Sequence, residues 1–253
     1  MKIAVCIKQV PTREWHPRLN DAGTWIRDQD ASFELNEPDA YALEEALRFK
    51  EKEGGEVIVC SAGPARATQV IREALARGAD RAVHVESDAL TSADANAVAE
   101  ALAGAIKDEH VDLVLTGLQS DDQGFGQVGV ILAEKLGMPH ATIIMEVQKT
   151  EQGLRVKREL EGGWFQWVAL PMPALLTIQS GINQLRYATL KGIMAAKKKE
   201  IRKVAPAAGV QPAQKITSIY FPEKGKKTQM LSGGPADAAR ELVKRLREDA
   251  RAL

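Results

Sequence analysis

The stretch VDLVLTGLQSDDQGFGQVGVILAEKLG, Val111–Gly137, holds three kinds of sequence in succession. Val111 to Gly117 is a short, β-branched, almost continuously apolar run, the pattern of a strand buried on both faces. From Val128 the apolar residues recur at helical spacing. Between them lie glycines, two adjacent aspartates and flanking glutamines, a composition that serves a turn rather than either element. A strand, a glycine-rich turn and a helix form half of a parallel crossover unit, and the same grammar fills the first two-thirds of the chain. The runs KIAVCI (2–7), EVIVCSAG (56–63) and RAVHVE (81–86) read as further buried strands. PDAYALEEALRFKEKEGG (38–55), ATQVIREALARGAD (67–80) and TSADANAVAEALAGAIKDEH (91–110) read as helices. Thr91 or Ser92 is the expected N-cap of the third helix and Gly78 the C-cap of the second. The expected fold is α/β, a doubly wound, mostly parallel sheet of the adenine-nucleotide-binding type.

Past Pro139 the pattern changes. ATIIMEVQKT (141–150), LRVKRELE (154–161), WFQWVAL (164–170) and ALLTIQ (174–179) read as successive strands, the first three joined by hairpin turns, and predict an antiparallel extension of the sheet. RYATLKGIMAAKKKEIRK (186–203) reads as a helix ending in a basic cluster. VAPAAGVQPAQ (204–214) reads as an extended linker, and PADAARELVKRLREDARAL (235–253) as a terminal amphipathic helix. The expected organisation is an α/β nucleotide-binding domain over 1–185, a partner-contacting segment over 186–203, and an arm plus helix over 204–253. So long an arm suits wrapping around a second subunit better than folding into a compact monomer.

The 253 residues can bury a sizeable core, and 34 basic against 34 acidic side chains leave no net field that would favour nucleic acid or a membrane surface. No apolar run approaches the roughly 18 residues of a membrane span, and the apolar part of MKIAVCIKQV is too short for a signal peptide. Cys6 and Cys60 sit inside strand-like runs as core thiols, so a soluble, cytoplasmic protein is expected. His84, His110 and His140 lack ligand spacing, and no metal is expected.

In an open parallel sheet, ligands bind beyond the carboxyl ends of the strands. A helix starting near Gly126 would present unpaired N–H groups and a positive dipole end to an anion, and the glycines at 124, 126 and 129 would let the backbone approach it. The turn therefore reads as a phosphate cradle. It matches neither the first-strand G-x-G-x-x-G pattern nor the P-loop with its lysine. Asp121 and Asp122 read as a solvated turn or cap, with a metal pair or acid/base pair as the other reading.

VCIKQVP (5–11), NEPDAYALEEALRFKEK (36–52), GPARATQVIREALARGADRAVHV (63–85), DLVLTGLQSDDQGFGQVG (112–129) and above all ALLTIQSGINQLRYATLKGIMAAKKKEI (174–201) resemble, in order, the beta subunit of electron-transfer flavoproteins. The resemblance spans about 1–201 and implies a heterodimer whose alpha subunit holds most of a redox-active FAD. It implies an electron carrier with no catalytic residues, taking electrons from acyl-CoA and related dehydrogenases in fatty acid β-oxidation and passing them to a membrane-associated quinone oxidoreductase. Carried over by position, an AMP pocket would comprise Cys6, Asn36, Glu37, Pro38, Asp39, Ala62, Gln119, Ser120, Asp121, Asp122, Gln123, Gly124, Phe125, Gly126, Gln127, Val128 and Gly129. The family often carries other residues where Gly126 and Val128 stand, so main-chain contacts are implied there. Pro38 stands where some members place an aromatic ring.

The segment around Leu190 is similar to the family's recognition loop, with Leu190 as the apolar anchor and Tyr187, Ile193 and Met194 beside it. Glu159 matches a glutamate that faces an arginine of the mobile flavin domain. Trp15 and His16 lie in a long loop near the implied flavin, and Trp164 and Trp167 read as packing for the sheet or a subunit contact. The alternative within the family is a bifurcating type with a second FAD in place of AMP and NADH as donor. Its members share KQVP, but DQGFGQVGV only partly matches their cradle. A stand-alone nucleotide-binding protein of similar topology would lack both the arm and the RYATL segment.

Overall fold

The computed structural model of the chain describes residues 1–207, 209, 211–222, 225 and 228–252. Ala208 and Val210 of the expected linker, and Glu223, Lys224, Lys226, Lys227 and Leu253 of the expected arm and helix, lie outside the described residues. Two compact units are formed, Met1–Ile219 and Tyr220–Leu253.

Within the first unit the strands and helices alternate as β1 (Lys2–Cys6), β2 (Gln9–Pro11), β3 (Phe33–Leu35), α1 (Glu37–Glu53), β4 (Glu56–Gly63), α2 (Thr68–Arg77), β5 (Arg81–Glu86), α3 (Ala95–Ile106), β6 (Leu113–Gly117) and α4 (Val128–Leu136). There follow β7 (His140–Thr150), β8 (Gly153–Glu159), β9 (Phe165–Leu170), β10 (Ala174–Ile178), α5 (Leu190–Ala196) and β11 (Ile201–Val204). Nine strands make one sheet in the order β11-β5-β4-β1-β6-β10-β7-β8-β9, parallel as far as β7 and antiparallel beyond it. The order runs outward from β1 in both directions, which is the doubly wound arrangement. One face is covered by α1, α2 and α5 through residues such as Leu43, Leu47, Ile71 and Leu75. The other is covered by α3 and α4 through Leu102, Ile106 and Leu132.

Three local expectations are corrected. Ala174–Ile178 is no part of the antiparallel extension: it threads back between β6 and β7 and pairs in parallel with both. Its five residues are all buried, as an inner strand requires. The helix expected over 186–203 is confined to Leu190–Ala196, and Ile201–Val204 is instead an edge strand beside β5. The sheet edge offers β5's open N–H and C=O groups, and pairing with them outweighs the helical preference of that run. Helix α3 is capped by Asp94, whose side chain accepts the Ala97 N–H at 2.9 Å, rather than by Thr91 or Ser92. Gly78 does end α2, with φ 135°.

The turn after β6 spends its glycines on two distinct constraints. Gly124 and Gly126 have φ of 65° and 63°, the left-handed region, so α4 begins at Val128 instead of near Gly126. Gly129 has ordinary backbone angles and is required for contact: a Cβ there would lie 2.6 Å from Thr177 Cγ2 and 2.8 Å from Thr116 Oγ1. The helix thus sits directly on the strand ends.

The second unit contains α6 (Pro235–Glu248), entered through Gly234 with a proline in its first turn. None of its residues is fully buried, and Leu242 and Val243 are exposed.

Gly129→Ala is expected to destabilise the chain by about 1–3 kcal/mol, since overpacking must push α4 from the sheet. Gly104, exposed in α3 with nothing within 4 Å of a built Cβ, is the control. Gly104→Ala should stabilise by about 0.5–1 kcal/mol through helix propensity. Urea denaturation of both variants checks the two signs.

Candidate functional site

Strand β1 has β4 on one side and β6 on the other, so the chain's winding direction reverses at the β1/β6 boundary. The loops leaving β1 and β6 part there, and a cleft of about 830 Å³, counted with its open mouth, lies between them.

Two side chains at the start of α1 tie the loops together. Asp39 is buried, its Oδ2 accepting the Lys8 N–H at 2.7 Å and its Oδ1 accepting the Gly117 N–H at 2.9 Å. Asn36, fully buried, donates through Nδ2 to the Gln119 carbonyl at 3.0 Å and accepts the Asp121 N–H through Oδ1 at 2.9 Å. Its own N–H donates to the Lys8 carbonyl at 3.0 Å. Gly117 must be glycine for this approach, because a Cβ would fall 2.4 Å from Asp39 Oδ1. Burial pushes the Asp39 carboxyl up from 3.8 to about 7, and the hydrogen bonds from Lys8, Asn36 and Gly117 offset only part of that rise.

The Lys8 ammonium crosses to the β6 loop, donating to Ser120 Oγ at 3.2 Å, Asp122 Oδ1 at 2.6 Å and Gln123 Oε1 at 3.0 Å. It brings a cation to the wall of the cleft. No side chain caps α4, so its first-turn N–H groups are open to a ligand's oxygens. The Cys6 thiol is held well above its ordinary pKa by burial first and then by Cys60 and Asp39, so it lines the cleft as a neutral group. A phosphate fits the open main-chain N–H groups and the helix dipole at the start of α4, while the three donors of Lys8 are taken by the β6 loop. One stretch of the lining, Leu90, Ala93, Val98 and Leu102, is apolar and suits a flat ring system, with Thr91, Gln119 and Gln127 supplying polar groups elsewhere.

Of the residues that the sequence marked, Cys6, Asn36, Asp39, Ala62, Gln119, Ser120, Gln123 and Phe125 to Gly129 line the cleft together, apart from Gly124. Glu37, Pro38, Asp121, Asp122 and Gly124 stand behind or outside its wall. Glu37 pairs with Arg13, Pro38 packs where a Cβ on Gly117 would go, and Asp122 holds Lys8. Lys8, Leu90 and Leu102 line the cleft without being marked as site residues by the sequence, and Thr91, expected there only as a helix cap, lines it too. Lys8 directly follows the first strand run, and that position was the available signal. The loop after β5 carried no polar motif to mark it.

Tyr187, Leu190, Ile193 and Met194 lie far along the chain, on and just before α5, and are 93 %, 76 %, 46 % and 64 % exposed. Glu159 ends β8 and accepts from Gln179 Nε2 at 3.2 Å. Trp164 and Trp167 are exposed at the outer strand β9, with the Arg155 guanidinium 4.3 Å from the Trp167 ring centre. His84 is buried in β5, whereas His110 and His140 are exposed and on other elements. Among the described residues no helix is long and apolar enough to cross a membrane.

Residues 24–209 match the family model for the electron transfer flavoprotein domain. The chain is 37 % identical to the electron transfer flavoprotein subunit beta of Methylophilus methylotrophus, over 98 % of both chains. It is 34 % identical to the subunit beta of Bacillus subtilis, over 90 % of this chain and 91 % of that one. With the mitochondrial subunit beta of Oryza sativa it shares 35 % identity over the whole of both.

The folded chain holds the Asp39 proton up to about pH 7, whereas the unfolded chain releases it near 3.8. The carboxyl's contribution to stability is therefore full below the lower value and lost as pH rises through the upper one. Asp39→Asn, which turns an amide NH₂ toward one backbone donor, is expected to be less stable than the parent in mild acid by about 1–3 kcal/mol. That gap should shrink as pH rises from about 4 toward 7 and level off above it. Denaturation at a series of pH values tests it, and a gap that widens with pH would contradict the assignment.

Proposed function

We propose, since the chain belongs to the electron transfer flavoprotein family as one of its beta subunits, that it works as the platform and docking half of a heterodimeric electron carrier in the cytoplasm. Its alpha partner would hold most of an FAD, which supplies the one- and two-electron chemistry when bound. Donors would be acyl-CoA and related dehydrogenases of fatty acid β-oxidation, and the acceptor a membrane-associated quinone oxidoreductase. The cleft would hold AMP as a structural ligand. In this reading residues 1–185 form the nucleotide-binding body, 186–203 the docking segment, and 204–253 the arm that wraps the alpha subunit.

One observation carries the reading. Three polar side chains at the cleft are committed to holding loops: Asp39 and Asn36 to backbone groups, Lys8 to Ser120, Asp122 and Gln123. What is left to face a ligand is main-chain N–H at the start of α4, the hydroxyl of Thr91, the amides of Gln119 and Gln127, and an apolar wall. Such a site binds and orients but moves no proton and attacks no bond. Gly126, Gln127 and Val128 would present the N–H donors to the phosphate, with Lys8 lowering its charge. Glu159, at the end of a strand in the antiparallel extension, would meet an arginine of the flavin domain.

Docking would fall to α5. A helix of seven residues that exposes Leu190, Ile193 and Met194 together is a small apolar patch rimmed by Lys191, Lys197 and Lys198. A small patch with one central anchor suits a partner that must leave quickly, and the lysines would favour an acidic surface. In the heterodimer Leu190→Ala should slow reduction by a purified acyl-CoA dehydrogenase about tenfold, as loss of an anchor does, with bound flavin and nucleotide unchanged. An unaltered rate would contradict the docking role.

A further inference from the structure

Helix α5 has too few residues to be stable alone and buries only Ala196 among its seven. It is held at both ends by charge. Before it, the Arg186 guanidinium spans two carboxylates of α1: Nε donates to Glu44 Oε2 at 2.8 Å, and Nη2 to Glu44 Oε1 at 3.0 Å and to Glu51 Oε2 at 3.1 Å. Glu44 is 5 % exposed and also accepts from Arg48 at 3.2 Å. Beside this tie, Asn183 Nδ2 donates to the Tyr41 carbonyl at 3.1 Å and to Glu45 at 3.0 Å. After the helix, Arg72 of α2 donates to the carbonyls of Ala196 and Lys199, and Lys199 Nζ donates back to the carbonyls of Leu75 and Ala79. Each helix's terminal carbonyls are thus capped by a cation from the other segment. Between the two ties Gly192 lies against α2, where a Cβ would fall 2.3 Å from the Ala76 carbonyl oxygen.

These contacts do not involve the cleft. A planar fork on a buried carboxylate fixes direction as well as distance, and removing the arginine would leave Glu44 buried with only Arg48 opposite. The exposed apolar groups begin one residue after Arg186 with Tyr187. We propose that Arg186 is a positioning residue for docking: bridging Glu44 and Glu51, it holds 187–196 in its binding geometry before a partner arrives. This rests on the docking role given above to α5. A preformed element spares the partner the entropy of ordering it, which matters most where contact is brief.

The test uses the complete heterodimer carrying Arg186→Gln, read by hydrogen exchange of the 187–196 amides and by steady-state kinetics with a purified acyl-CoA dehydrogenase. Exchange should rise about tenfold as the tie is lost. KM for the dehydrogenase should rise about tenfold with kcat and bound flavin unchanged, the mark of lost preorganisation. Adding Leu190→Ala should then cost much less than it does alone, because both act on one element. Arg186→Lys, which keeps the charge without the fork, should fall between. If Arg186→Gln fails to fold, Glu51→Gln removes only the exposed half of the tie and should shift exchange and KM in the same direction by about threefold. Unchanged exchange would overturn the proposal even if Leu190→Ala slows transfer. Raised exchange with no effect of Leu190→Ala would instead uphold the tie and remove the docking role, and raised exchange with unchanged KM would show a merely structural contact.

Discussion

Two loops that leave neighbouring strands on opposite faces of a sheet have no reason to stay close. Here they are joined through the carboxyl of Asp39 and the amide of Asn36, both buried at the start of α1, which bond the backbone of Lys8, Gly117, Gln119 and Asp121. The cost of burying the carboxyl shows in its raised pKa, and it satisfies two backbone groups in return, with the Asn36 amide satisfying two more. Gly117 is the complement of this knot, since any side chain there would meet Asp39. The width of the cleft, the direction of the Lys8 ammonium and the placement of the turn that leads into α4 all depend on it.

Helix α5, the proposed docking element, obeys the same logic with the sign of exposure reversed. An apolar patch that must meet water and then a partner cannot be stabilised by its own burial, so α5 is held through polar ties to α1 and α2. Both functional regions thus draw on the helices of the first face: α1 supplies the knot at its first turn and the carboxylates for Arg186 further along. A subunit acting as proposed, holding a nucleotide and offering a small fixed patch to a partner, would need rigidity at both places.

Much of this was legible in the chain because its causes are local. Buried parallel strands read as apolar runs, amphipathic helices as spaced ones, and the glycine turn after β6 announced a close backbone approach. The rest was set at a distance. Five apolar residues at 174–178 say that a strand is buried but not that it lies between β6 and β7. The segment 197–204 has helical preference of its own, overridden by the open edge of β5. Family resemblance brought Asn36 and Asp39 to the cleft, but their bonds to four backbone positions, 31 to 85 residues away for the bonded pairs, are a product of topology. Lys8 stands in the KQVP motif, but its bonds to Ser120, Asp122 and Gln123 exist only once the β6 loop is folded against it.

The central claim is that this cleft holds a structural adenine mononucleotide in a simple electron carrier. The most direct measurement is to denature the purified complex of this chain with its alpha partner and quantify the released nucleotides by chromatography. One FAD and one AMP per heterodimer is the predicted result. Two FAD and no AMP would contradict it, and would make the turn from Gly117 to Gly129 the cradle of a second flavin.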